Sequence, residues 1–548
     1  MAPTRPSRST VYGRNGMVCS ASPLAASTGI RVLQEGGNAF DAALALAAVE
    51  AVTLPSKCSI GGDTFAILYQ PPKGSSKARL RSLSSSGVAP TGATSAYYQS
   101  KGHEFVPRTG PLAATVPGSI AAWETVHREY CTMPFAKLLE PAIGYAEDGY
   151  PVTPRIAREF RIFAETLAEY PSTANVLLKD GQPYQAGDVL VQSDLAASLK
   201  KIAQGGADEY YRGSLTQQLI KGLQAAGGLF TQEDFANHTL QFQEPPLSGT
   251  YRGHTIYETS FPSQGFIVLS TLNILEGFDL GSLGHNTPES VHLMVEAKKL
   301  AYADRNTYAG DPSFVSWPLD RLLSKEHAEE QRKRIDPNTA VATRIDAAAP
   351  VAAGNDTAYS CIVDSEGNAV SYIHSIFAGF GSQFVVEGTG ILMNNRATSF
   401  YIKEGHPNTI APGKRTMHTL NCYMVFKDDL PVIVGGTPGA DNQPQSNVQV
   451  LTGLIDFDLE LQQAVDAPRW NSTPGTNPRS VEDDYVLQIE QDAPLPEETI
   501  EGLKSKGHKI TSIGADLFGR VNLLAIDHER GILAGASDPR ADGEAIPL

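Results

Sequence analysis

GNDTAYSCIVDSEGNAVSYIHSIF, residues 354–377, divides into a small polar lead-in ending at Asp356-Thr357, a β-type run from Ala358 to Val363, a turn at Asp364-Ser365-Glu366-Gly367-Asn368, and a second β-type run from Ala369 to Phe377. The Val, Ile and Tyr content of both runs and the Asp, Gly and Asn between them predict a β-hairpin. Thr357 then stands at the start of the first strand. Taken alone that is ordinary, and turn and strand-start chemistry accounts for it.

Downstream, Phe384 to Val386, Gly390 to Met393, Asn421 to Phe426 and Pro431 to Val434 add further strand candidates, and glycine-rich segments follow at Gly379-Phe380-Gly381-Ser382 and Gly435-Gly436-Thr437-Pro438-Gly439. Upstream the pattern is helical. Ser27 to Leu54 carries apolar residues at helical spacing, interrupted at Gly36-Gly37-Asn38, so it predicts two helices with a cap between them. Phe135 to Asp148, stopped by Gly149 and Pro151, predicts another, as do Gln264 to Glu276 and Ser290 to Asp304. A helical first half and a strand-rich second half give an α+β class. The softest segments are Ala340 to Asp356 and the Ser-rich run Leu80 to Gly87. No linker or repeat divides the 548 residues, so one large intertwined fold is expected.

Composition narrows the function. Hydrophobic residues make up 41% and charged residues 19%, the balance of a globular protein with a substantial core. A net charge of −16 repels phosphate backbones and anionic surfaces, so neither a nucleic-acid nor a membrane partner is expected. The most apolar stretch, Ala42 to Val52, is short and carries Glu50, so no membrane span is predicted. No apolar signal region follows the basic residues of the N-terminus, and a cytoplasmic location is the expectation. The five cysteines are scattered without a C-x-x-C pair, and the twelve histidines lack metal-ligand spacing; no disulfide framework and no metal is expected. Phosphate-loop, dinucleotide, zinc-protease and nucleophile-elbow motifs are absent.

Asp356-Thr357, Val363-Asp364-x-x-Gly367-Asn368-Ala369-Val370, Phe380-Gly381-Ser382 and Gly390-Ile391-Leu392-Met393-Asn394-Asn395 together resemble the γ-glutamyltranspeptidase family of N-terminal-nucleophile hydrolases. The resemblance runs in the family's order through Gly36-Gly37-Asn38-Ala39, Val116-Pro117-Gly118-Ser119, Glu296-Ala297-x-Lys299, Ala467-Pro468-Arg469 and Asp538-Pro539-Arg540. It implies an αββα sandwich and a precursor that cuts itself at Asp356–Thr357. The products would be a large subunit, residues 1–356, and a small subunit, residues 357–548, which stay associated. Thr357 would become the nucleophile, its freed α-amino group, with an intrinsic pKa of about 7.7–8.0, serving as local base. The resemblance also implies a supporting hydroxyl at Ser375 and an oxyanion hole from the backbone N–H groups of Gly439 and Ala440. Backbone donors survive the change to alanine, which lacks only glycine's ready access to positive φ. No cofactor is needed.

The chain departs from the family where the substrate's head is held. The family's carboxylate-binding arginine precedes an Ala-Pro pair, but Ser84-Ser85-Ser86-Gly87-Val88 precedes Ala89-Pro90 here. Ser399 occupies the place of the family's ammonium-binding aspartate, and His418-Thr419 the place of two serines. These changes follow the acylase-containing branch of the family. A zwitterionic γ-glutamyl head without its charge partners would cost several kcal/mol, so Arg396, Arg415, His418, Arg79 and Arg81 are candidate replacements. Arg396 leads because it offers bidentate carboxylate binding, although a structural ion pair explains it equally. Asp441 either meets an amine or caps the following helix. The expected activity is hydrolysis or transfer of γ-glutamyl compounds such as glutathione or its conjugates through an acyl-enzyme on Thr357. An acylase removing a glutaryl-like group is the alternative, and an unprocessed, non-catalytic family member is a third reading from another class.

Overall fold

The computed structural model describes residues 7–341 and 357–548. Asp356, and with it the junction expected to be cut, lies outside the described residues.

The predicted hairpin forms, with strands Ala358–Asp364 and Ala369–Ser375 paired antiparallel. It lies in the middle of a seven-stranded sheet whose order is Glu544–Pro547, Gly16–Ser20, Ala358–Asp364, Ala369–Ser375, Asp63–Gln70, Arg79–Ser85 and Gln241–Gln243. Strands from both sides of residues 342–356 therefore alternate in one sheet. A second seven-stranded sheet, including His254–Glu258, Cys422–Lys427, Leu430–Gly436 and Asn522–Asp527, stacks on the first. Met17, Phe65, Ile67, Tyr359 and Ile373 of the one sheet interlock with Cys422, Met424, Val434 and Leu524 of the other.

Helices close both outer faces. Pro23–Gln34, Ala39–Thr53, Ser119–Tyr130 and Phe135–Asp148 cover the hairpin's sheet, while Gly265–Leu275, Pro288–Tyr308 and Asn442–Ile455 cover the other. The result is a four-layer αββα sandwich. All fifteen residues of Ala39–Thr53 are buried, as expected for a helix apolar on every side. Its start is fixed by a capping box in which Asn38 accepts from the Asp41 N–H and Asp41 accepts from the Asn38 N–H.

One expectation needs correcting: the first half is not simply helical, since Gly16–Ser20, Asp63–Gln70, Arg79–Ser85 and His254–Glu258 are strands of the two sheets. The supposedly soft serine run is an interior strand. Three of its hydroxyls find backbone partners: Ser82 accepts from the Ser260 N–H at 3.1 Å, and Ser84 and Ser85 donate to the carbonyls of Ser260 and Gly118 at 3.2 and 2.7 Å. A buried polar group so satisfied incurs little penalty. All five cysteines are free, and among the described residues no helix is long and apolar enough to cross a membrane.

Candidate active site

Antiparallel pairing places Ala358 opposite His374, so Thr357 falls beside Ser375. The Thr357 hydroxyl donates to Ser375 Oγ at 3.1 Å. Ser375 Oγ also accepts the N–H of Phe377 at 2.8 Å, which fixes the serine's oxygen at the end of its strand. Phe377 has φ +84°, a left-handed conformation that a bulky residue adopts only when its surroundings impose it. Here the imposing groups are Asn395, which accepts the Ala378 N–H at 3.0 Å, and the Ser375 oxygen itself.

The glycine-rich turn runs from the strand Leu430–Gly436 into the helix Asn442–Ile455. Gly439 has φ +133° and Ala440 φ +47°, so the alanine does enter the left-handed region that glycine would occupy more easily. Among the described residues, the N–H groups of Gly439 and Ala440 donate to no protein acceptor. Buried backbone donors are nearly always paired, and two adjacent ones left open at a helix start form a preorganised anion site. Gln264 steadies this turn by donating from one amide nitrogen to the carbonyls of Thr419 and Ala440, at 3.0 and 3.2 Å.

Asp63 is opposite Ser375 on the neighbouring strand. Its carboxylate accepts from His418 Nε2 at 3.0 Å and pairs with Arg396 Nε at 3.6 Å, and all three side chains are fully buried. His418 Nδ1 accepts the Leu420 N–H, so Nε2 carries the proton. Burial pushes the Asp63 carboxyl up to about 7, opposed by the Arg396 charge, and drives His418 well below its usual range. Arg396 also donates to Thr419 Oγ1 at 3.1 Å and stacks over the Phe377 ring at 4.2 Å.

A cavity of about 440 Å³ opens beside these elements. Of the residues singled out in the sequence, Ser399, Thr419, Ala440 and Asp441 line it; Arg396 and His418 lie one layer behind, and Thr357, Ser375 and Gly439 are not part of its wall in the uncut chain. The expectation that Arg396 faces substrate is therefore corrected: Asp63, unnoticed in the sequence, claims the guanidinium. Arg415 is likewise used, donating to the carbonyls of Ser86 and Thr239, and Arg79 and Arg81 both pair with Glu129. Asp441 does not cap its helix through its side chain; it accepts the N–H and hydroxyl of Thr476 at 3.0 and 2.5 Å.

Among the described residues, one group could hold a metal ion. His292, Glu296 and His508 bring ligand atoms within 4.8 Å of one another, away from the cavity. They already satisfy one another and their neighbours, His292 bonding His508 at 2.9 Å and Glu296 accepting from Lys299 at 2.7 Å.

The family model for gamma-glutamyltranspeptidase aligns with residues 25–548. The chain belongs to the gamma-glutamyltranspeptidase family. It is 37% identical to the glutathione hydrolase-like YwrD proenzyme of Bacillus subtilis (strain 168), over 98% of this chain and 99% of that one. It is 35% identical to the acylase ACY 1 proenzyme of Pseudomonas sp. (strain SE83), over 98% and 94%. The crystal structure of cephalosporin acylase from Bacillus halodurans superposes with a TM-score of 0.90 at 35% identity, covering all of this chain and 98% of that one. The chain is thus a hydrolase of the N-terminal-nucleophile, gamma-glutamyltranspeptidase type.

Within this family member, sequence reading missed Asp63, Arg108 and Arg479, the last two lining the cavity. No local signal marks them. Arg479 lies 371 positions from Arg108 and is brought to it only by folding.

Proposed function

We propose that the chain is a self-cleaving amide hydrolase with Thr357 as nucleophile, and that its acyl donor is a non-glutamyl amide rather than glutathione. The carrying observation is the Thr357–Ser375 hydrogen bond together with two unpaired N–H groups at Gly439 and Ala440. In the first reaction the Thr357 hydroxyl adds to the Asp356 carbonyl carbon. The C–N bond breaks, an ester links Asp356 to Thr357 Oγ1, and water hydrolyses it, leaving Thr357 with a free amine. In turnover that amine takes the hydroxyl proton as Oγ1 attacks the substrate carbonyl. The N–H groups of Gly439 and Ala440 receive the oxyanion, a contribution of about 2.7–4 kcal/mol per donor. The proton then passes to the departing amine, and water cleaves the acyl-enzyme.

The acyl preference rests on charge. A γ-glutamyl head carries an ammonium and a carboxylate, yet no arginine stands in Ser84-Ser85-Ser86-Gly87-Val88 before Ala89-Pro90, Ser399 stands at the place of the family's aspartate, and Arg396 is engaged by Asp63. Asp441, the one carboxylate of the cavity wall among the described residues, is engaged by Thr476. An ammonium placed there would lack a committed partner.

The test has two parts. Denaturing intact-mass measurement with N-terminal sequencing should give a fragment beginning at Thr357 that is absent in Thr357→Ala; a single uncut wild-type chain overturns the nucleophile assignment. Glutaryl-p-nitroanilide and γ-glutamyl-p-nitroanilide differ only by the α-amino group. Higher kcat/KM by tenfold or more is expected for the first, and the reverse order would restore the γ-glutamyl reading.

A further inference from the structure

Arg108 and Arg479 stand together on the cavity wall with no ion-pair partner among the described residues. Arg108 is exposed and its side chain makes no hydrogen bond, while its backbone carbonyl accepts from Asn395 Nδ2 at 3.1 Å, tying it to the loop that follows Ser375. Arg479 spends one N–H on the Val106 carbonyl at 2.7 Å and rests on the Phe105 ring at 4.7 Å, which leaves most of its five donors unused. Burial lowers the pKa of Arg479, and the charge of Arg108 acts in the same direction; Glu104 opposes both without forming an ion pair. The loop bearing Arg479 is anchored at Thr476 to Asp441, the residue after Ala440. The backbone at Arg108 and the loop bearing Arg479 are thus both tied to the site, Arg108 through Asn395 and the Arg479 loop through Asp441.

Ile162, Phe163, Phe377 and Pro478 supply apolar surface on the same cavity wall. Two adjacent cations that repel each other are costly unless an anion joins them, and an arginine fork matches a carboxylate in shape as well as charge. We propose that Arg108 and Arg479 form a carboxylate-binding subsite, so that the substrate is an amide bearing a free carboxylate beyond an apolar spacer. The inference rests on the reading of this cavity as the substrate site, and it names residues distinct from those the family uses for a γ-glutamyl carboxylate. The carboxylate can sit on the acyl half or on the leaving amine, and the two sources are separable.

The experiment compares wild-type protein with Arg108→Gln, Arg479→Gln and the double variant. The acyl-side pair is glutaryl-p-nitroanilide against its neutral isostere 4-carbamoylbutanoyl-p-nitroanilide. The amine-side pair is butanoyl-4-aminobenzoate against butanoyl anilide. For whichever pair carries the recognised carboxylate, wild-type kcat/KM should favour the charged member, and the preference should fall at least tenfold in the double variant, mainly through KM. Calorimetric binding of free glutarate and free 4-aminobenzoate gives a readout independent of turnover: one of them should bind wild type and bind the double variant at least tenfold more weakly. An unchanged charged-to-neutral ratio in both pairs, with neither carboxylate bound more weakly by the double variant, overturns the subsite. Absence of hydrolysis alongside arginine-dependent carboxylate binding would instead sink the catalytic reading and leave the subsite standing.

Discussion

Thr357 Oγ1 and Ser375 Oγ are 3.1 Å apart across two adjacent central strands, and the serine oxygen is itself held by the Phe377 N–H. The serine accepts from the threonine hydroxyl, so it orients the oxygen proposed as nucleophile. Removing such a bond costs about 1–3 kcal/mol, and each 1.4 kcal/mol is tenfold in rate. Ser375→Ala should slow both self-cleavage and turnover by roughly ten- to a hundredfold with little change in KM, while Ser375→Thr restores most of the rate. A time course of fragment appearance and steady-state kinetics on the mature protein check this.

Asp63 and Arg396 are a fully buried ion pair. Breaking one side leaves an uncompensated charge, at a cost of about 3–5 kcal/mol. Asp63→Leu should lower stability by that amount in urea unfolding, and adding Arg396→Met should recover most of it. Equal stability of Asp63→Leu and wild type would show that the pair contributes nothing net.

Ala440 holds φ +47°. The left-handed conformation costs a non-glycine residue about 1–2 kcal/mol, against about 0.4–1 kcal/mol of added unfolded-state entropy for glycine. Ala440→Gly should therefore stabilise by up to about 1 kcal/mol in a thermal melt. The donor N–H survives, so kcat should stay within about threefold; a large loss would mean that the methyl group, not only the backbone, shapes the hole.

His238 is half-buried, its ring stacked on Tyr211 at 5.1 Å, and desolvation of the imidazole pushes its pKa down to about 3, with the charge of Arg415 acting in the same direction. The unfolded chain binds a proton near pH 6.5 that the folded chain refuses, so the histidine's contribution is full above that pH and is lost as pH falls toward 3. Relative to His238→Gln, wild type should lose stability on acidification at up to about 1.4 kcal/mol per pH unit below 6.5. Parallel stability–pH curves for the two proteins would contradict a neutral, desolvated imidazole.

Much of the framework was legible in the chain. Helix ends at Gln34 and Asp148 follow from Gly36 and Gly149, and the hairpin follows from its Asp-Gly-Asn turn, because periodicity and capping act over a few residues. The hairpin also brings Thr357 to Ser375, since strand pairing is set by the turn between them. The serine strand Arg79–Ser85 was illegible for the opposite reason: its hydroxyls are paid for by carbonyls and N–H groups at Gly118 and Ser260, far along the chain.

Sequence by itself determined the family, the sandwich and the pairing of Thr357 with Ser375, all of which rest on local propensity and ordered motifs. Tertiary structure alone decided where the charges go. Arg396 is drawn inward because Asp63, 333 positions earlier, is buried opposite Ser375 and needs a countercharge. Arg108 and Arg479 both reach the cavity wall, where neither forms an ion pair among the described residues. Electrostatic partnership depends on distance in space and on burial, and neither quantity is carried by the order of residues along the chain.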